Sequence, residues 1–144
     1  MHEIVIVSGG FDPIHSGHIK LIKEAAYHGK VIVLLNSDVW LQKKKGKEFL
    51  PFSERAVIMN ELKNVIEVIE FDDTDKTCID GLKKVKNKYP KSILKFANGG
   101  DRNNETTPET IYCKKNNIQL LWNVGGENKS NSSSWILKKW KENN

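Results

Sequence analysis

Two histidines three residues apart, His15 and His18, are the side chains whose type and spacing most clearly indicate chemistry. They lie in GGFDPIHSGH, residues 9–18, between an apolar run that predicts a strand and an apolar stripe that predicts a helix. Gly9 and Gly10 let a ligand approach the backbone, and the start of a helix offers N–H groups and partial positive charge. Imidazoles there can donate hydrogen bonds to phosphate oxygens and stabilise the charge of phosphoryl or nucleotidyl transfer. The stretch therefore predicts a phosphate-binding site.

Two other interpretations of this turn fit less well. A zinc site needs ligands beyond the histidine pair, and the other two histidines and both cysteines lie elsewhere in the pattern. A dinucleotide site needs the spacing GxGxxG, which SGGFDPIHSG does not have. Such a site also has an acidic residue after the second strand. Asp38 lies at about that position, so this test is ambiguous. Neither a zinc site nor a nicotinamide cofactor is therefore expected.

Predicted strands and helices alternate along the whole chain. Apolar or alternating runs predict strands over residues 3–8, 31–36, 65–71, 92–97 and 118–122. Helices are predicted from near His18 to Gly29, from a Ser53 cap to Leu62, over 75–89, from Pro108 to about Asn116, and over a final segment whose Trp135 and Trp140 are expected to pack. The lysine-bearing stretch 37–52 is predicted as a loop. This order predicts a single α/β domain over 1–144, with a Rossmann-like, doubly wound sheet of about five parallel strands and helices on both faces.

The loops that follow the predicted strands carry the unusual residues. In a parallel sheet of this type, ligands bind beyond the carboxyl ends of the strands, near the place where the strand order reverses. The loops are GGFDPIHSGH, the lysine-bearing stretch, NGGDR at 98–102 and GGENKSNSSS at 125–134. We therefore expect them to share one rim around the phosphate site.

Composition bounds the partners and the compartment. The 144 residues carry a net charge of +5, but the basic residues are scattered, and aromatic residues do not interleave with them as on a nucleic-acid surface. No apolar run approaches the roughly 20 residues that cross a membrane, and the N-terminus does not resemble a signal peptide. Two cysteines form no disulfide framework. We expect a cytoplasmic protein with no nucleic-acid and no membrane partner.

GGFDPIHSGH resembles the signature G-x-F-D-x-x-H-x-G-H of the cytidylyltransferase-like nucleotidyltransferases at every defined position. Weaker motifs follow in the order of that family: LNSD (35–38), LQKKKGK (41–47), SERAVIM (53–59), NGGDR (98–102) and SSSWILK (132–138). The resemblance covers about residues 4–139. It implies that a phosphate oxygen of an acceptor attacks the α-phosphorus of a nucleoside triphosphate, that pyrophosphate leaves, and that Mg²⁺ is the cofactor. It also implies a homodimer.

The same resemblance implies roles for individual residues. Catalytic roles fall on His15, His18, Lys45 and Arg55. Nucleotide-binding roles fall on Gly9, Gly10, Phe11, Asp12, Gly17, Gly100, Asp101, Ser132, Ser133 and Ser134. The histidines would contact the triphosphate and stabilise the transition state, Lys45 would neutralise phosphate, and Arg55 would hold the acceptor or the triphosphate.

Several of these roles have structural alternatives. Asp12 can be a turn or capping residue, and Gly100 and Asp101 can form a simple β-turn. Arg55 can be a surface arginine of its helix. The lysines that compete with Lys45 for the phosphate are Lys43, Lys44 and Lys47.

Two branches of the family compete for the substrates. LQK after the second strand resembles glycerol-3-phosphate cytidylyltransferases, which use CTP, whereas NSD, FDDTD (71–75) and GGD resemble heptose-phosphate adenylyltransferases, which use ATP. Departures from the family pattern at Asn98, Asn131 and Lys138 leave the base and the acceptor open. The residues slightly favour CTP and a small phosphorylated alcohol or sugar such as glycerol 3-phosphate. The alternatives are an ATP-dependent adenylyltransferase of a heptose-like sugar phosphate, and a nucleotide-binding module without catalysis, against which the intact histidine pair argues.

Overall fold

The computed structural model describes residues 2–98, 107–125 and 133–142. The strands in these ranges are β1 (Glu3–Gly9), β2 (Lys30–Leu35), β3 (Val65–Glu70), β4 (Ile93–Asn98) and β5 (Gln119–Trp122). The helices are α1 (Ser16–Ala25), α2 (Asp38–Lys45), α3 (Phe52–Glu61), α4 (Ile79–Lys88), α5 (Pro108–Lys115) and α6 (Ser133–Glu142). Three predicted site residues, Gly100, Asp101 and Ser132, lie outside the described residues.

The strands form one parallel sheet in the order β3-β2-β1-β4-β5. The central strand β1 pairs with β2, where Val5 lies opposite Val31, and with β4, where Ile4 lies opposite Leu94. The chain first adds strands on one side of β1 and then returns to add β4 and β5 on the other side. The strand order therefore reverses between β1 and β4, so the loop after β1 lies where ligands bind in such sheets.

Alternate residues of the central strands face opposite sides of the sheet, and helices cover both sides. One buried cluster joins strand residues to α4 and α5, and it includes Ile4, Ile6, Ile32, Leu34, Leu82 and Cys113. The other joins strand residues to α1 and α3, and it includes Val5, Val7, Val31, Val33, Ile22 and Met59. Strands buried on both faces explain why their sequences are continuous apolar runs. The predicted Rossmann-like, doubly wound fold is confirmed.

The predicted loop over 37–52 is wrong for Asp38–Lys45, which forms α2. This helix buries only Leu41, so its sequence lacks an apolar stripe that would reveal it. Its local signals are the ends: the Ser37 side chain accepts a hydrogen bond from the backbone N–H of Trp40, and Gly46 follows the last turn at a φ of 91°.

Three smaller expectations also differ from the structure. Helix α3 begins after Pro51 rather than at a Ser53 cap. The first helix begins at Ser16, earlier than expected from the apolar stripe, because His15 caps it. Trp135 and Trp140 are not buried in the core, since they are 58% and 56% exposed, although the Trp140 ring meets the edge of Phe49 at a centroid distance of 6.4 Å. None of the described helices combines the length and the apolar character needed to cross a membrane.

Candidate active site

The turn after β1 is held close against α2. A Cβ at Gly10 would lie 2.7 Å from Cδ2 of Leu41, so Leu41 would have to shift to admit any side chain there. The following residue, Phe11, is buried and takes a φ of 49°, which turns the chain sharply at the end of the strand. This close packing brings the helix that carries the lysines next to the histidine segment.

The histidines themselves cap helix α1. The backbone N–H of Gly17 donates to Nδ1 of His15 at 3.0 Å, and the backbone N–H of His15 donates to Nδ1 of His18 at 3.3 Å. This is a reciprocal capping box in which imidazoles replace the usual hydroxyl and carboxylate. Because each Nδ1 accepts a hydrogen bond, a neutral ring carries its proton on Nε2. The cap therefore sets both histidines as Nε2–H donors.

His18 is held uncharged by its surroundings. Its ring stacks on His15 with centroids 3.8 Å apart, and the edge contact with Phe11 has a centroid separation of 4.7 Å. Burial, followed by electrostatic interaction with His15 and Lys44, lowers the pKa of His18 to about 4. At neutral pH this side chain is a neutral donor suited to phosphate oxygens, rather than an imidazolium.

This lowered pKa predicts an acid-dependent loss of stability. The pKa of His18 is about 4 in the folded protein and near 6.5 without burial, so the unfolded state binds one more proton between these pH values. The free energy of unfolding should fall as the pH drops from 6.5 toward 4, by up to about 1.4 kcal/mol per pH unit from this group. Urea unfolding at several pH values measures the slope. In His18→Asn this part of the slope should vanish, and an unchanged slope would contradict the assignment.

A cavity of about 240 Å³ lies beside His18 at the end of β1. It is lined by residues of the first loop, of α2 and of the start of α6: Gly9, Gly10, Phe11, Asp12, His18, Trp40, Leu41, Lys44, Lys45, Ser133 and Ser134. The hydroxyl of Ser133 donates to the carbonyl oxygen of Pro13 at 2.7 Å, which holds α6 against the loop. The structure thus brings together many of the predicted site residues in what we call the histidine cavity.

Asp12 is anchored within the protein. Its carboxylate is buried and accepts hydrogen bonds from the backbone N–H groups of Phe49 and Leu50, at 2.6 and 2.7 Å. Lys45 Nζ lies 3.1 Å from the same carboxylate and also donates to the Asp12 carbonyl oxygen. Asp12 therefore joins the first loop to the segment between α2 and α3.

Two neighbouring lysines of α2 have different surroundings. Lys45 pairs with Asp12, whereas the charge of Lys44 acts on His18, and its Nζ lies 4.9 Å from the centroid of the Trp40 ring. Both lysines line the histidine cavity. In the sequence Lys44 is only one of the lysines that compete with Lys45 and Trp40 carries no site signal, because nothing in the local pattern predicts α2.

Arg55 lies beneath the loops rather than in the lining of the histidine cavity. It is 1% exposed, so the surface-arginine alternative is wrong. Its guanidinium donates to the carbonyl oxygens of Leu50, Gly10 and Asn36 at 2.8–2.9 Å and to the Asp38 carboxylate at 2.6 Å. These bonds connect the ends of β1 and β2 to the starts of α2 and α3.

The described residues do not offer Mg²⁺ a site of their own. Mg²⁺ prefers carboxylates, phosphates and water in an octahedral shell. The carboxylate in the described lining of the histidine cavity is Asp12, and backbone N–H groups and Lys45 engage it. Within the described ranges, no group of three or more histidine, cysteine or acidic residues could hold a metal ion.

The sequence matches a known protein family over most of its length. The family model described as Cytidylyltransferase-like matches residues 6–139. The "Bifunctional protein HldE" of Geobacter metallireducens is 33% identical over 150 residues, and that of Syntrophotalea carbinolica is 32% identical over 149 residues. These alignments cover 97% and 96% of this chain but 28% of each relative, so the chain spans little more than a quarter of their length.

Two solved structures share the fold. The lipopolysaccharide core biosynthesis protein from Thermoplasma volcanium superposes with a TM-score of 0.66 at 20% identity, covering 89% of this chain and 100% of that one. A putative nicotinate-nucleotide adenylyltransferase from Vibrio parahaemolyticus superposes with a TM-score of 0.62 at 15% identity, covering 99% and 89%. At these identities the likeness concerns the fold alone.

Proposed function

The chain belongs to the cytidylyltransferase-like family of nucleotidyltransferases, and on that premise we propose that it transfers the adenylyl group of ATP to a sugar phosphate and releases pyrophosphate. The observation that carries the proposal is the capping box that sets His15 and His18 as Nε2–H donors at the start of α1, with His18 in the cavity wall. A protein that only bound nucleotide would not need both histidines as donors to the negative charge that develops in the transition state.

The reaction balances without a covalent enzyme intermediate. A phosphate oxygen of the sugar phosphate forms a bond to the α-phosphorus of ATP, while the bond from that phosphorus to the bridging oxygen breaks and its electron pair leaves with pyrophosphate. Charge on the transferring group and the leaving group rises, and we propose that the Nε2–H of His18 and the Lys44 ammonium, whose residues both line the histidine cavity, stabilise it. The N–H groups at the start of α1 add to this field.

The sequence relatives favour ATP over CTP. The residues themselves slightly favour CTP, through LQK after β2. The relatives named Bifunctional protein HldE fit the adenylyltransferase alternative better than the cytidylyltransferase one. We therefore propose ATP as the nucleotide, and we propose that Mg²⁺ arrives on its phosphates rather than at a protein site.

A second cavity supports the proposed acceptor. It has a volume of about 670 Å³ and shares Trp40 and Lys44 with the histidine cavity. Its lining also includes Lys43 and Lys76, whose ammonium groups suit a phosphate, and Asp72, whose carboxylate suits the hydroxyl groups of a sugar. Because the two cavities meet at Lys44, an acceptor phosphate there would lie beside the triphosphate.

A substrate panel tests the function. Each of ATP, CTP, GTP and UTP is combined, in the presence of Mg²⁺, with heptose phosphates, hexose phosphates or glycerol 3-phosphate, and pyrophosphate release and the nucleotide product are measured. We expect ATP with a sugar phosphate to be the productive pair. Turnover of CTP with glycerol 3-phosphate would contradict the choice of ATP and support a cytidylyltransferase. Nucleotide binding without product from any pair would contradict the proposed enzymatic activity and support a nucleotide-binding module.

A further inference from the structure

Asp73 is a buried carboxylate that holds the segment between β2 and α2. It lies three residues after β3 and is 7% exposed. The Asn36 side-chain amide donates to Oδ2 at 3.1 Å, the Ser37 backbone N–H donates to Oδ2 at 2.8 Å, and the Ser37 hydroxyl donates to Oδ1 at 2.7 Å. Since every one of these partners donates, the position suits an acceptor-only carboxylate.

Ser37 connects this carboxylate to α2. Its Oγ donates to Asp73 and accepts the backbone N–H of Trp40 at 3.1 Å, which makes it the N-cap of the helix. The bond to Asp73 therefore fixes the rotamer that the cap requires. Asp73 and Ser37 form one hydrogen-bonded chain that ends at the first turn of α2.

Helix α2 depends on such anchoring because its own sequence gives it little stability. It has eight residues, ends in three consecutive lysines and buries only Leu41. Isolated helices of this length are marginal in water, and most helical stability in proteins comes from packing of an apolar face, of which this helix has little. The helix nevertheless brings Trp40, Lys44 and Lys45 to the histidine cavity.

We propose that Asp73 is a positioning residue, which fixes Ser37 at the start of α2 and thereby sets the place of Lys44 relative to His18 and the triphosphate. Asp73 is not among the described residues that line the histidine cavity, so its effect on ATP passes through the helix. It does line the second cavity, but its carboxylate oxygens there are engaged by Asn36 and Ser37. The choice of ATP as a probe rests on the proposed function.

Asp73→Ala tests this inference by three measurements on the full chain. Hydrogen exchange without ligand should become faster in residues 38–45, because the cap loses its anchor. Calorimetric titration should show ATP binding weakened about tenfold, as expected when a charge-assisted contact of Lys44 is partly lost. In kinetics the KM for ATP should rise by a similar factor, whether or not the KM for the sugar phosphate also rises.

The matched control is Asp75→Ala. Asp75 lies in the same segment, and its exposed carboxylate accepts bonds only from Thr77 among the contacts of the described residues. This variant should match the wild type in all three measurements. Asp73→Asn, which keeps one acceptor oxygen and the side-chain size, should show smaller changes in the same direction and serves if the alanine variant folds poorly.

Ser37→Ala tests whether the two residues act as one chain. It should also speed exchange in 38–45, and the double variant should be no worse than Asp73→Ala alone, because removing either partner breaks the same connection. Unchanged exchange of α2 in Asp73→Ala overturns the inference. So does a rise in the KM for the sugar phosphate alone, which would make Asp73 a ligand. If the wild type turns over no substrate pair, the proposed function fails, but the exchange measurement still decides the role of Asp73.

Discussion

His18→Ala is expected to lower turnover by about 10²–10³-fold, the usual effect of removing one preorganised donor to a developing negative charge. His18 is the histidine that lines the cavity, and its neutral Nε2–H is available over the physiological pH range because its pKa is lowered to about 4. A donor that strengthens its bond mainly in the transition state contributes to kcat more than to substrate binding. The KM for ATP should therefore change much less than kcat.

The fold should survive this substitution with a modest loss of stability. Alanine leaves the His15 backbone N–H without the Nδ1 acceptor of the capping box, a change that costs about 1 kcal/mol at a helix start. His18→Asn separates the two roles, since its Oδ1 can take the place of Nδ1 while no group replaces Nε2–H. We expect its turnover to be as low as that of the alanine variant and its stability to be closer to that of the wild type.

A remote histidine gives the matched control. His28 is exposed and lies just before β2, at the opposite end of the sheet from the histidine cavity, so His28→Ala should keep wild-type turnover. Pyrophosphate release with saturating ATP measures all three variants. Wild-type turnover in His18→Asn would show that the cap alone explains this histidine.

The fold was predictable because the sheet is buried on both faces. Runs such as EIVIVS and VIVLLN are continuous and apolar, and turn residues separate them, so the alternation of elements follows from hydrophobic pattern alone. Helix α2 could not be predicted from the hydrophobic pattern. It buries one side chain, and it is held by Asp73 and Arg55 from distant parts of the chain, contacts that no local pattern reveals.

The candidate site was predictable where it is local in sequence. The histidines, the glycines and Phe11 lie within ten residues, so their spacing alone indicated a phosphate turn. Charged residues were assigned less well, because their partners lie far along the chain: Asp12 pairs with Lys45, and Arg55 reaches Gly10. A charged side chain near a phosphate motif is readily interpreted as a residue that binds substrate. Only the fold shows whether that side chain is already paired with another group of the protein.

Arg55→Met is expected to lower the free energy of unfolding by about 3–5 kcal/mol, because a fully buried guanidinium is removed together with its hydrogen bonds to three carbonyl oxygens and to the Asp38 carboxylate. The loss leaves the carbonyl oxygens of Gly10, Asn36 and Leu50 without this donor and the Asp38 carboxylate without its cation. Each buried carbonyl left unsatisfied costs about 1–3 kcal/mol. Methionine fills a similar volume, so the effect reports the lost bonds more than a cavity.

Urea unfolding measures this loss, with Lys63→Met as the control for removing a positive charge from an exposed position. That control should change the free energy of unfolding by less than about 0.5 kcal/mol. Arg55→Lys keeps the charge but not the fork of donors, so its loss should fall between those of the other two variants. The resemblance to the family implies instead that Arg55 holds the acceptor or the triphosphate. An Arg55→Met protein with wild-type stability and much weaker ATP binding would support that role. It would contradict the structural role of Arg55, in which its hydrogen bonds join the ends of β1 and β2 to α2.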